Sequence, residues 1–284
     1  MLPAAPKALD LTTASDTGVS NTDNITSITA LSFTGTAEAA STVTPYDGAT
    51  AVGTGITKAT GTWSIIASSL ANGTHSITAK SADALGNVST ASKALSVTID
   101  TAAPGAPVIT GGTASTLTGT GEAGATVTIL DKMTTAGTAT VGSGGKWSWS
   151  FVVGSSTRSL TAMETDVAGN KSLASSGSGL IGTSGANTLT STAGNDLMVG
   201  GAGADTFSFG PTIGLDVIAD FAAAGTAHDI IDFHGSSTLN SFANVLNHTT
   251  QVGSGVAITQ GAGDVLTLNN VTKASLTAAD FTFV

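Results

Sequence analysis

The sequence predicts an all-β protein: two β-sandwich domains in tandem, then a short parallel β-roll with capping β-strands. Three observations carry that prediction. Short runs alternate apolar and polar residues between Gly, Asn and Asp turns, and no helical spacing is sustained over three turns in residues 8–181. One block recurs after about 84 residues, so that two copies fill this region. From Gly182 a different period begins, nine residues long.

In the first copy the strand runs are Ser32-Phe33-Thr34, Thr42-Val43-Thr44, Ser76-Ile77-Thr78-Ala79-Lys80 and Leu95-Ser96-Val97-Thr98-Ile99. Phe33-Thr34-Gly35-Thr36-Ala37-Glu38-Ala39 returns as Leu117-Thr118-Gly119-Thr120-Gly121-Glu122-Ala123. Trp63 returns as Trp147, and Asp83-Ala84-Leu85-Gly86-Asn87 as Asp166-Val167-Ala168-Gly169-Asn170. Units of 80–95 residues with about seven short strands read as immunoglobulin-like sandwiches. Both tryptophans are expected in their cores, because a small sandwich without disulfides needs a bulky centre. The domains are placed at 1–101 and 102–181. Pro104 and Pro107 make the joint between them extended and stiff.

Composition narrows the functional classes. Of 284 residues, 40% are hydrophobic and 10% charged, too apolar and too sparsely charged for a disordered acidic tail. The absence of cysteine removes disulfides, iron–sulfur clusters and thiolate zinc sites. A formal charge of -10 opposes nucleic-acid binding, which needs a basic stripe to replace phosphate counterions. No apolar run reaches the roughly 18 residues of a membrane helix. Met1-Leu2-Pro3-Ala4-Ala5-Pro6-Lys7 has neither a basic nor an apolar signal region, so no cleavable secretory signal is expected. The acid excess is uneven. Up to Ile181 eleven Asp and Glu face eight Lys and Arg, whereas beyond it eight Asp face Lys273 alone. Such an excess opposes compaction unless something positive is bound.

Several segments of residues 8–181 resemble the bacterial Ig-like repeats found in tandem in large secreted adhesins. They are Ser15-Asp16-Thr17-Gly18, Asn24-Ile25-Thr26, Thr34 to Glu38, Asn72 to Ile77, Asp83 to Asn87 and Ile99 to Pro104. The resemblance implies that loop aspartates bind calcium and stiffen a rod. Carried over residue by residue, it points to Asp83, Asp100 and Glu122, with Asp16, Asp23, Glu38 and Asp166 behind them. The alternative for Asp-x-x-Gly-Asn is a hairpin closed by an Asx-turn. The second copy lacks the Ser-Asp-Thr-Gly segment.

The nine-residue period runs through Gly182–Thr190, Ser191–Val199 and Gly200–Ser208, with a degenerate copy at Pro211–Ala219. Its template, G-G-x-G-x-D-x-U-x, resembles the repeats-in-toxin (RTX) nonapeptide of calcium-binding β-rolls and covers residues 182–219. Glycines such as Gly201 and Gly203 allow the tight turn and aim carbonyls inward. The sixth residue (Asn187, Asp196, Asp205, Asp216) adds a side-chain oxygen, and the eighth (Leu189, Met198, Phe207, Ile218) points into the roll. Two nonapeptides make one coil, so ions would lie between Asn187 and Asp205 and between Asp196 and Asp216. Calcium takes six to eight hard oxygens, which two stacked turns can supply. Asp220, just past the fourth copy, is counted with this set. Asn187 weakens its site by one charge, and the fourth copy is shifted in register.

Residues 182–284 are read as one module. Ile213 to Phe221 and Asp229 to Phe233 look like the capping strands that follow RTX repeats. A short helix is expected within residues 241–251, followed by a hairpin of Gly255–Thr259 and Asp264–Leu268. The end, Asp280-Phe281-Thr282-Phe283-Val284, resembles the uncleaved C-terminal signal of type I exporters. His228, Asp232 and His234 share parity, which on a strand would put a conceivable transition-metal set on one face. There is no H-E-x-x-H, G-x-S-x-G or G-x-x-x-x-G-K-[ST], so no enzyme is expected.

The reading is a calcium-dependent extracellular or cell-surface protein, the C-terminal part of a type I-secreted RTX adhesin, with Ig-like domains as spacer. Its expected partners are an ABC exporter and a host or biofilm surface ligand, or copies of itself. Two alternatives stay open. One is a self-assembling surface-layer or filament protein, and the other the non-catalytic end of a secreted hydrolase.

Overall fold

The computed structural model describes residues 1–284. They form 25 strands, one α-helix and two short 3-10 turns, and no helix is long and apolar enough to cross a membrane. The chain divides into two compact units, residues 1–104 with 165–171 and residues 105–164 with 172–284.

The first unit is a sandwich of β1 (Lys7–Leu11), β2 (Ile25–Thr26), β3 (Ser32–Thr36), β4 (Thr42–Asp47), β5 (Thr50–Ala51), β6 (Gly55–Ile56), β7 (Thr62–Ile66), β8 (Gly73–Ala82) and β9 (Leu95–Ile99). One sheet has the order β1-β3-β7. The other has the order β2-β9-β8-β4-β5, with β6 also on β4. Alternation along β3, β7 and β8 turns Phe33, Trp63, Ile65, Ile77 and Ala79 into the core. Gly35 lies opposite Trp63 in the β3–β7 register, and a Cβ there would come within 2.6 Å of the indole ring. The Thr-Gly-Thr block therefore recurs with the tryptophan because glycine makes room for it. The unit's other segment, residues 165–171, is a hairpin turn. Val167 O accepts Val19 N–H at 3.2 Å, and Ala168 O accepts Thr17 Oγ1–H at 3.0 Å.

The second unit begins with β10 (Val108–Thr113), β11 (Thr116–Thr120), β12 (Thr126–Asp131), β13 (Thr134–Thr140), β14 (Lys146–Ser150) and β15 (Arg158–Thr165). Gly119 and Trp147 repeat the glycine–indole contact across β11 and β14. The tail adds β16 (Gly179–Ile181), β17 (Thr188–Thr190), β18 (Leu197–Val199), β19 (Thr206–Phe209), β20 (Leu215–Ile218), β21 (Ile230–Phe233), α1 (Phe242–Asn247), β22 (Thr249–Val252), β23 (Gly255–Gly261), β24 (Asp264–Leu268) and β25 (Phe281–Phe283). The roll has two faces. On one, β17-β19-β21-β25 are parallel neighbours. On the other, β16, β18, β20 and β24 are parallel. They continue a nine-stranded sheet, β13-β12-β15-β16-β18-β20-β24-β23-β22.

β16 does double duty. It pairs antiparallel with β15, as β9 pairs with β8, and parallel with β18. The closing strand of the second sandwich is therefore the first strand of the roll. Against the seven or so strands expected in each copy, the first has nine, and the second, with β16 as its closing strand, has seven. Leu189, Met198, Phe207 and Ile218 are all buried in one cluster with Phe209, Ile231, Phe233, Leu266 and Phe281. The helix expected within 241–251 ends at Asn247, capped at its start by Ser241. Thr249–Val252 instead forms β22 against β23, where β-branched residues suit a pleated strand.

Candidate metal centre

The turns of the roll fall on two edges. Residues 182–187, 200–205 and 219–229 stack on one, and residues 191–196 and 210–214 stack on the other. Glycine is required where turn meets turn. A Cβ on Gly201 would lie 2.2 Å from Thr183 O, and Gly201 and Gly203 have φ of +93° and +115°.

On the first edge Asp205 is 1% exposed. Its Oδ1 accepts Asn187 N–H at 2.8 Å, one coil below, and its own N–H donates to Asp229 Oδ1 at 2.9 Å. Asp205 Oδ2 is buried with no hydrogen-bond partner, and it lies where a Cβ on Gly200 would fall, 2.4 Å away. Asp220 accepts Gly200 N–H and Gly201 N–H, both at 2.9 Å. Burial pushes the Asp205 carboxyl above its ordinary value against the Asn187 N–H bond, and the charges of Asp229 and Asp220 add to the rise. Asp229 is raised by burial too, against N–H bonds from Ala222 and Asp205. Asp205 Oδ2, orphaned beside the charges of Asp220 and Asp229, is an oxygen suited to a hard cation. No three His, Asp or Glu side chains converge tightly enough to hold an ion unaided, so an ion here would need backbone carbonyls of the stacked turns to complete its shell.

The second edge is differently arranged. Asp196 Oδ1 accepts Ser178 N–H at 2.6 Å, and its Oδ2 accepts Thr192 N–H at 2.6 Å and Thr192 Oγ1–H at 2.8 Å. Asp216 Oδ1 accepts Asp196 N–H and Oδ2 accepts Ser191 Oγ–H, each at 2.8 Å. Asn187 stacks with Asp205, 18 residues on, as two nonapeptides per coil predict, and Asp196 with Asp216, 20 residues on, because Phe209-Gly210 precedes the shifted fourth copy. Asp229 and Asp264, which completes this edge by accepting Ile213 N–H and Gly214 N–H, escape the nonapeptide pattern.

In the first unit, Asp16 is 4% exposed. Its Oδ2 accepts Asn24 N–H at 3.2 Å, while Asp16 Oδ1 and Asn24 Oδ1 are buried without partners. Asn24 is held at φ +60°. Burial raises the Asp16 carboxyl, opposed by the Asn24 N–H bond, with the Asp23 and Asp10 charges adding to the rise. Asp83 closes a turn instead. It accepts Leu85 N–H, Asn87 N–H and the Asn87 side-chain amide, and these bonds hold its carboxyl below the usual range, the amide first. Asp166 makes the corresponding turn with Gly169 and Asn170. Asp100 Oδ1 accepts Ala102 N–H. Glu122 is exposed on the turn before β12.

His228, Asp232 and His234 do not share a site. His228 precedes β21 in a turn, where its Nε2 meets Asp280 Oδ1 at 2.6 Å, while His234 Nδ1 lies 3.8 Å from Asp232 Oδ2. At the C-terminus, Asp280 and Phe281 are buried, Phe283 is half-buried and Val284 exposed.

Residues 3–101 match the family described as bacterial Ig-like domain, residues 103–179 the bacterial Ig domain, and residues 181–211 the RTX calcium-binding nonapeptide repeat in four copies. Among solved structures, the chain is similar to the BSP domain of a biofilm-associated protein (21% identity, TM-score 0.26, 63% of this chain and 29% of that one). It is also similar to the fibronectin(III)-like modules of Clostridium thermocellum CbhA (14%, 0.39, 58% and 90%). A third similar structure is the extracellular lipase LipA from Serratia marcescens (14%, 0.29, 44% and 29%). The chain thus spans under a third of the biofilm-associated chain. No curated protein matches it. The chain carries two bacterial Ig-like domains in tandem followed by RTX calcium-binding nonapeptide repeats.

Proposed function

We propose that this chain is a non-enzymatic, calcium-dependent part of a secreted or cell-surface adhesin, in which the Ig-like domains act as spacer and the RTX tail folds on meeting calcium. The observation that carries it is the buried, unpartnered Asp205 Oδ2 beside Asp220 and Asp229. A carboxylate oxygen out of water without a donor is costly, and a cation is the partner its neighbours would welcome. Asp16 Oδ1 and Asn24 Oδ1 form a second oxygen pair of the same kind.

Where calcium is scarce, as in a cytosol, the acidic turns repel one another and the tail resists compaction. Outside the cell the ion binds and couples to folding. At ten times a site's dissociation constant the linkage contributes about 1.4 kcal/mol per site. A type I exporter fits this order of events. Asp280, Phe281 and Phe283, the residues that resemble its signal, sit in the last strand of the folded roll and in the turn before it. An exporter that reads them must do so before the roll closes. The test is thermal unfolding of the full chain followed by circular dichroism in excess calcium and in chelator. A clear rise in Tm with calcium is expected, and superimposable curves would overturn the reading.

A further inference from the structure

The second residue of each nonapeptide distinguishes the turns. In the first, Thr183 donates from its N–H at 2.6 Å and its Oγ1 at 3.1 Å to Asn187 Oδ1, and Gly185 N–H closes back on Thr183 Oγ1 at 3.2 Å. The second repeats this unit. Thr192 gives N–H and Oγ1–H to Asp196 Oδ2, and Gly194 N–H returns to Thr192 Oγ1 at 3.1 Å. In the third turn the residue is Gly201. Its N–H goes to Asp220 Oδ2, no hydroxyl is present, and Asp205 Oδ2 stays without a donor.

We propose that a threonine in second place closes its turn against cations, and that the tail holds one calcium ion, at the turn of Gly201 and Asp205. Cations and N–H or O–H donors compete for the same lone pairs. To take an ion, Asp196 would give up donors already within 2.8 Å, freeing the N–H and hydroxyl of Thr192 and leaving the buried N–H of Ser178 unpaired, at the usual cost of a buried polar group. Asp205 gives up nothing, since only Oδ1 is engaged. Ser191 extends the pattern. It stands where the template has its first glycine, and its hydroxyl occupies Asp216 Oδ2. The Ser191-Thr192 pair supplies from the chain what a cation supplies elsewhere, so that edge is built to fold ion-free.

This inference rests on the calcium reading, and one experiment separates the two. Bound calcium per chain is measured by equilibrium dialysis with radioactive calcium on the full-length wild type, on Asp205→Asn, on Asp196→Asn and on the double variant Ser191→Gly/Thr192→Gly, which gives this turn the Gly-Gly pair of the third. Asp205→Asn is expected to bind one ion fewer, Asp196→Asn the same number, and the double variant one more. Loss of an ion in Asp196→Asn, or no gain in the double variant, overturns the threonine rule and leaves calcium binding intact. An unchanged count in Asp205→Asn removes the calcium assignment itself. Should Asp196→Asn fail to fold, the count of the double variant decides.

Discussion

Asp216 Oδ1 accepts the backbone N–H of Asp196 at 2.8 Å, so two aspartates one coil apart lie side by side, each about 99% buried or more. Burial pushes the Asp216 carboxyl up to about 7, against hydrogen bonds from Asp196 and Ser191, and the Asp196 and Asp264 charges add to the rise. A carboxyl raised on folding stabilises the fold fully below its unfolded value and loses that contribution as pH rises through the folded one. Without calcium, stability therefore falls between about pH 4 and pH 7, on the order of 2–4 kcal/mol for this group. Asp216→Asn keeps an acceptor for Asp196 N–H and carries no charge. Urea unfolding in chelator at pH 4.5 and pH 7.5 is expected to show a slope in the wild type that flattens in this variant.

Gly119 faces Trp147 so closely that a Cβ would lie 2.3 Å from the ring and 2.2 Å from Val108 O. Backbone on one side and a buried indole on the other leave no direction to yield. Gly119→Ala is expected to cost about 1–3 kcal/mol by overpacking, read as a lower denaturation midpoint at unchanged m-value.

Asp16 and Asp83 are both loop aspartates, and their hydrogen bonds separate them. Asp16→Asn removes a buried charge and is expected to abolish part of the calcium-induced rise in Tm while leaving the chelator-treated protein no less stable. Asp83→Asn weakens a turn bond to Asn87 and should lower Tm slightly and equally with and without calcium. Thermal scans of each variant in both buffers check this.

Asp280 is wholly buried. It is held by His228 Nε2 and, in a capping box, by Thr277 N–H and Oγ1–H. Asp280→Ala orphans these donors and is expected to cost about 1–3 kcal/mol. The loss should appear first as faster amide exchange in β25, which pairs only with β21.

The sandwiches and the roll were legible because each rests on a local period. Alternation of two sets strand faces, and a nine-residue turn–strand unit brings Asn187 under Asp205 and, across a two-residue insertion, Asp196 under Asp216. The partner Asp229 was hidden, because 24 residues rather than 18 separate it from Asp205. The fusion of sandwich and roll through β16 was hidden as well, since Gly179-Leu180-Ile181 reads the same whether it closes one sheet or opens another.

Chemistry at each aspartate was the least readable part. Asp196 and Asp205 occupy the same place in the same template, and sequence alone makes them equivalent. Residue order determined which oxygens stack. Only the folded chain decided which of them already have donors, because a carboxylate's partners are neighbours in space, and two hydroxyl-bearing side chains at a turn suffice to change what it can bind.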